Sequence, residues 1–265
     1  MKGNGRVQWS ERSHRLGDAE LKVLESGAGR PLLVLHEELG CPGPVRWQSV
    51  LAENRQLIVP LHPGFGRTER IDWIASVRDL ACFYARFRRE QKLAPIDVIG
   101  FSFGGWIAAE MAAMDPSLFS SMVLVGAPGI RPPQGEILDL FLLTGQKYLR
   151  ASVLDPARTP EFVDLYGSEQ TPEQFEAWEE CRAESARLAW QPYMYDPSLP
   201  HLLEGVGVRT LIVWGERDAV VPPSVGDAYR RAIAGSKLVV LPDCGHRPEI
   251  EKREEFVSEL TRFLG

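Results

Sequence analysis

Gly100-Phe101-Ser102-Phe103-Gly104-Gly105 lies between a run that reads as a buried strand, Ile96–Phe101, and a helical stretch, Gly104–Met114. A serine on such a strand-to-helix turn has a strained backbone and projects its hydroxyl outward. The turn brings together the positions two before and two after the serine. Both are glycine, Gly100 and Gly104, as sterics demand. The serine also stands at a helix N-terminus, whose dipole favours developing negative charge. A phosphate-binding glycine turn is the competing reading, but no lysine follows, so this is no P-loop.

Upstream, Leu21–Leu24, Pro31–Leu35 and Gln56–Pro60 read as strands. Downstream, Ser121–Gly126, Arg209–Trp214 and Ser236–Leu241 do the same. Val77, Leu80, Ala81, Tyr84 and Phe87 recur at helical spacing. They predict an amphipathic helix over 77–92 with Ser76 as N-cap. Phe256, Val257, Leu260, Phe263 and Leu264 define a last helix. Buried strands alternating with such helices imply parallel βαβ units, an α/β fold with a mostly parallel sheet flanked by helices.

Residues 133–205 break this rhythm. They carry helix signals, notably the start Thr171-Pro172-Glu173-Gln174, and no convincing strand. They hold 13 acidic against 5 basic residues, so the chain's net charge of −6 resides there, with nine of the 24 aromatics. An acidic exterior over an aromatic interior predicts a helical cap laid over a pocket. The expected organisation is a core of 1–132 and 206–265 with a cap of 133–205. A surface insertion with a small core of its own is the plainer alternative.

Composition narrows the function classes. With 44% hydrophobic and 25% charged residues, the 265-residue chain is globular, neither disordered nor collagen-like nor a coiled coil. The negative balance argues against nucleic acid as a partner. No apolar run approaches the roughly 20 residues of a membrane span. The polar stretch Met1–Ser13 lacks the apolar core of a secretory signal. Cys41, Cys82, Cys181 and Cys244 are far apart, which fits reduced thiols in a cytoplasm better than a metal or disulfide framework.

A serine nucleophile needs a base held by a third group. Of His14, His36, His62, His201 and His246, only His246 follows the last expected strand, in Leu241-Pro242-Asp243-Cys244-Gly245-His246. Loops at the C-terminal ends of strands gather the active sites of open α/β sheets. The acid is expected after the penultimate strand, where Asp218 follows Leu211–Trp214, with Glu216 as rival. The order Ser102, Asp218, His246 is that of the α/β-hydrolase arrangement.

The chain resembles the α/β-hydrolase superfamily over residues 20–265. The resemblance rests on Leu32–Leu39, His62-Pro63-Gly64-Phe65-Gly66-Arg67, Gly100–Gly105, Gly215–Pro222 and Gly245-His246. It is similar to the serine-dependent subgroup of esterases, lactonases, cofactor-free haloperoxidase-like enzymes and meta-cleavage-product (carbon–carbon bond) hydrolases. The resemblance implies a Ser102–His246–Asp218 triad, an oxyanion hole from the backbone N–H groups of Glu38 and Phe103, and neither metal nor organic cofactor. Two departures stand out. The family usually has His-Gly where this chain has His36-Glu37-Glu38-Leu39-Gly40; the two carboxylates are expected to point to solvent, the alternative being that they help a substrate with positive charge or a transferable proton. Meta-cleavage hydrolases would have a polar residue before the serine, where Phe101 stands.

Trp106, Phe141, Trp178, Trp190 and Tyr193 are the candidate pocket residues, with the segment Trp190–Tyr195 as a wall closing the cap. The expected activity is hydrolysis of a small apolar or aromatic ester or lactone through an acyl-enzyme. Carbon–carbon bond hydrolysis is the first alternative. A non-hydrolytic ligand receptor or a lyase on the same fold is the rival from another class.

Overall fold

The computed structural model describes residues 8–265. The first seven residues of the polar N-terminal stretch lie outside the described residues. Eight strands form one sheet: β1 (Trp9–Leu16), β2 (Ala19–Ser26), β3 (Arg30–Leu35), β4 (Arg55–Pro60), β5 (Ile96–Phe101), β6 (Phe119–Val125), β7 (Arg209–Gly215) and β8 (Lys237–Leu241). Their order across the sheet is β1-β2-β4-β3-β5-β6-β7-β8. β1 and β2 run antiparallel to their neighbours, and the rest are parallel.

The inner strands β3, β5, β6 and β7 are buried on both faces, which is why they read as continuous apolar runs. Each fully buried Leu, Ile or Val there contributes about 1.5–3 kcal/mol relative to exposure. β1 was not among the expected strands. Its residues Trp9–Arg15 are exposed or half-buried at the sheet edge, so WSERSHRL carries no apolar signature. It is joined to β2 by a two-residue hairpin turn at Gly17-Asp18, with Gly17 at φ +70°.

Six helices flank the sheet: α1 (Arg46–Leu51), α2 (Val77–Glu90), α3 (Phe103–Met114), and, after β7, α8 (Pro223–Ala232), α9 (Pro248–Glu251) and α10 (Arg253–Leu264). The Ser76 side chain accepts from the Asp79 N–H, capping α2 as its sequence implies. One charge cluster braces the sheet end away from Ser102. Asp97, fully buried on β5, accepts from Arg55 (2.7 Å), Arg30 (3.2 Å) and Ser121 (2.6 Å).

Between β6 and β7 the chain forms α4 (Gly145–Ala151), α5 (Pro160–Tyr166), α6 (Pro172–Ala189) and α7 (Leu199–Leu203), with two short 3-10 turns and no strand. α6 starts with the expected capping box. Thr171 Oγ1 accepts from the Gln174 N–H at 3.2 Å, and Gln174 Oε1 accepts from the Thr171 N–H at 3.0 Å.

Candidate active site

β5 delivers the chain into the turn at Ser102, which has φ +45° and ψ −116°. A non-glycine residue in that region stores roughly 1–3 kcal/mol of strain, held here by surrounding structure. The Ser102 N–H donates to Val125 O at 2.8 Å, tying the turn to β6. The flanking glycines are sterically required. A Cβ on Gly100 would lie 2.3 Å from Gly104 O, and one on Gly104 would lie 2.2 Å from Leu35 O.

Asp218 and His246 come from the loops after β7 and β8. His246 Nδ1 lies 2.8 Å from Asp218 Oδ2, while Asp218 Oδ1 accepts from the N–H groups of Val220 (2.8 Å) and Val221 (2.9 Å). The carboxylate is therefore clamped by its own turn and aimed at the imidazole. Glu216 instead accepts from the Asp243 N–H at 3.3 Å, on the exposed side of the loop. The structure pairs Asp218, not Glu216, with the histidine. Among the described residues, His246 Nε2 and Ser102 Oγ are both buried and without hydrogen-bond partners. Burial disfavours the charged imidazole, but Asp218 and Glu38 outweigh it and raise the His246 pKa above 6.5.

The loop after β3 differs from expectation. Glu37 and Glu38 do not point to solvent; they are 6% and 0% exposed. Glu38 turns inward. Its carboxylate accepts from the Tyr148 hydroxyl at 2.6 Å and from the Phe103 N–H at 3.4 Å. The carboxylate lies close to the Ser102 hydroxyl, without completing a bond of ordinary geometry to it. Burial raises its pKa, but His246 and these donors outweigh that and hold it below the usual value. One of the two amides nominated as oxyanion donors, that of Phe103, thus faces Glu38's own carboxylate.

Glu37 forms a buried ion pair with Arg247 and accepts from the Tyr166 hydroxyl at 3.3 Å. Arg247 also donates to Tyr166 (2.7 Å) and Ser152 (2.6 Å). Behind the loop, His36 and His62 stack with centroids 3.6 Å apart. His36 donates through Nδ1 to Glu37 O and accepts the His62 N–H at Nε2. Burial lowers the His36 pKa to about 4, so a neutral imidazole braces the loop. Gly40, at φ +91°, closes it with a bond to Glu37 O.

Of the five candidate pocket residues, Trp178 lines a groove of about 440 Å³ that also includes Glu37, Tyr166 and Cys181. Trp106 packs on Phe103, donates to Glu110 and lines a separate space beside Arg78. Phe141, Trp190 and Tyr193 cluster with one another at 5.2–6.3 Å, and Trp190 is 55% exposed. Ser102, Asp218 and His246 line neither of these two spaces. Sequence reasoning missed Tyr148, Tyr166 and Arg247, which surround the two carboxylates. The one available signal was the charged run His246-Arg247-Pro248-Glu249 in a loop assigned to the site. No cluster of three or more potential metal ligands occurs among the described residues.

Residues 32–259 match the sequence profile described as the Alpha/beta hydrolase family. The chain is 26% identical to a 2-hydroxy-6-oxo-2,4-heptadienoate hydrolase of Pseudomonas putida, covering 94% of each chain. It is 27% identical to a pimeloyl-[acyl-carrier protein] methyl ester esterase of Neisseria meningitidis serogroup B, over 64% of this chain and 69% of the other. The solved 2-hydroxy-6-oxo-6-phenylhexa-2,4-dienoate hydrolase from Rhodococcus sp. strain RHA1 shares its fold. The TM-score is 0.76 at 20% identity, over 98% of this chain and 99% of that one.

Proposed function

This chain belongs to the alpha/beta hydrolase family and is a hydrolase, and from that premise we propose that Ser102, His246 and Asp218 form its catalytic triad. The observation that carries the proposal is the 2.8 Å Asp218–His246 pairing beside a strained, unpartnered serine. His246 Nε2 takes the Ser102 proton as Oγ attacks a carbonyl carbon. Asp218 stabilises the imidazolium so formed. The N–H groups of Phe103 and Glu38 hold the oxyanion, each worth about 3–4 kcal/mol in comparable sites. His246 then protonates the leaving group, and water releases the acyl product.

The bond cleaved is, in this reading, a carbon–carbon bond beside the ketone of a small conjugated enol-ketone acid. The support is the name of the Pseudomonas relative, matched over nearly the whole chain. This displaces the ester or lactone expected from sequence. The ester reading keeps one specific support, the apolar Phe101 before the serine, together with similarity to the Neisseria esterase. The helices of 133–205 act in this proposal as a cap over the site, supported by the bonds of Tyr148 and Tyr166 to Glu38 and Glu37. A cytoplasmic setting belongs to the same proposal, supported by the four free cysteines.

The test is a side-by-side kcat/KM panel of p-nitrophenyl esters, aromatic lactones and a 2-hydroxy-6-oxo-dienoate. Preference for the dienoate supports carbon–carbon cleavage; turnover confined to esters returns the assignment to an esterase. Turnover retained by Ser102→Ala would refute the triad.

A further inference from the structure

We propose that Glu38 gates the active site: its carboxylate occupies the seat of the oxyanion, and a substrate carbonyl must displace it before Ser102 can react. The inference rests on the triad reading above and adds a residue to it. Three observations converge. The carboxylate accepts from the Phe103 N–H, one of the two donors that a tetrahedral intermediate would need. It is fully buried and held by the Tyr148 hydroxyl at 2.6 Å. Among the described residues, the buried Ser102 Oγ and His246 Nε2 have no hydrogen-bond partner, and the equally buried Glu38 fills ground beside them.

A carboxylate oxygen carries the charge that such donors are built to receive, so it is a competitor for them. It is an imperfect one. The Phe103 bond is 3.4 Å, longer than the roughly 2.7–3.1 Å that serves an oxyanion. A developing oxyanion beside a retained carboxylate would place two negative charges in one desolvated site. The carboxylate must therefore leave its donors during turnover. While in place, it also stabilises imidazolium on His246, the form that cannot take a proton from serine.

The charged and titratable neighbours of this pair come from every surrounding element. Tyr148 lies on α4. Glu37 and His36 lie on Glu38's own loop, with Tyr193 in the insertion. Asp218, Arg247, Glu249 and Glu251 complete the surroundings of His246. Glu37 is paired with Arg247, whereas among the described residues Glu38 forms no ion pair with a lysine or arginine.

The experiment measures inactivation by a fluorophosphonate as a function of pH, on wild type, Glu38→Ala and Glu38→Gln, with Ser102→Ala as the blank. Glu38→Ala should label on the order of tenfold faster or more, since one oxyanion donor alone is worth about 10²-fold in comparable sites. Its pH midpoint should fall, because His246 loses a carboxylate neighbour. Where the alanine variant fails to fold, the near-isosteric Glu38→Gln carries the test, with a faster rate and a lower midpoint expected. Folded variants that label no faster than wild type, with an unmoved midpoint, overturn the gate and leave the triad standing. Absence of Ser102 labelling in wild type and every variant refutes the triad, and the gate with it.

Discussion

Ser102, His246 and Asp218 lie far apart in the chain, and their joint effect is to make an alcohol reactive near neutral pH. His246→Ala should lower kcat by several orders of magnitude with an unchanged circular-dichroism spectrum. Asp218→Asn should cost about 10⁴ in kcat, because the imidazole loses its orienting anion. Glu216→Gln should leave kcat near wild type, since Glu216 lies on the exposed face of its loop. The reverse pattern would move the acid role to Glu216. The pH profile follows from the same geometry. Asp218 and Glu38 raise the His246 pKa, and only neutral imidazole serves as base. Activity should therefore rise with pH through a midpoint above 6.5, and a midpoint at or below 6.5 contradicts the arrangement. At this scale the residues of the proposed triad were legible, because a nucleophile turn and chain order nominate them. The inward turn of Glu37 and Glu38 was not. A carboxylate pair after a strand reads as solvated unless its buried partners, Arg247 and Tyr148, are known to be near.

The element that aims the serine is the β5–α3 turn, and its geometry depends on backbone approach rather than on any side-chain bond. Gly100→Ala would put a methyl 2.3 Å from Gly104 O, so backbone must shift. Such overpacking typically costs about 1–3 kcal/mol. The variant should melt several degrees lower and lose activity out of proportion to its residual folded fraction, as read by thermal unfolding against initial rates. An unchanged melting temperature would contradict the close approach. Elements buried on both faces were read well, β5 and β7 to within a residue of their bounds. β1 escaped, because an edge strand open to water has no reason to be apolar. α9 escaped for another reason. Four residues beginning at Pro248 are too short to show a period, and tertiary contacts hold them.

Across the whole molecule, the β6–β7 insertion is tied to the sheet side through buried polar groups. α4 contributes Tyr148 to Glu38, and its C-cap Ser152 bonds the His246–Arg247 loop; α5 contributes Tyr166 to Arg247 and Glu37; α6 contributes Ser185 to Glu38 O. Glu249, beside Arg247, is pushed up to about 8 by burial, which Arg247 only partly offsets. A carboxyl raised above its ordinary 4.5 binds protons in the folded state that the unfolded chain has released. Its contribution to stability is therefore fully present below about pH 4.5 and lost as pH rises through 8. Glu249→Gln should match wild type in melting temperature near pH 4.5 and exceed it progressively towards pH 9. A constant difference across that range would show that Glu249 does not titrate in this way.

The sequence by itself determined the α/β architecture, the strained serine turn and the nomination of Asp218 and His246. Each of these is written in local signals: apolar runs, helical periods, glycines at fixed offsets and the order of loops along the chain. Only the tertiary structure decided where Glu37 and Glu38 point, which aromatic residues stand near them, and that a carboxylate faces the Phe103 amide beside Ser102. Those outcomes depend on desolvation and on partners more than 100 residues away, such as Tyr148 and Tyr166. No local pattern encodes the energy of a buried charge.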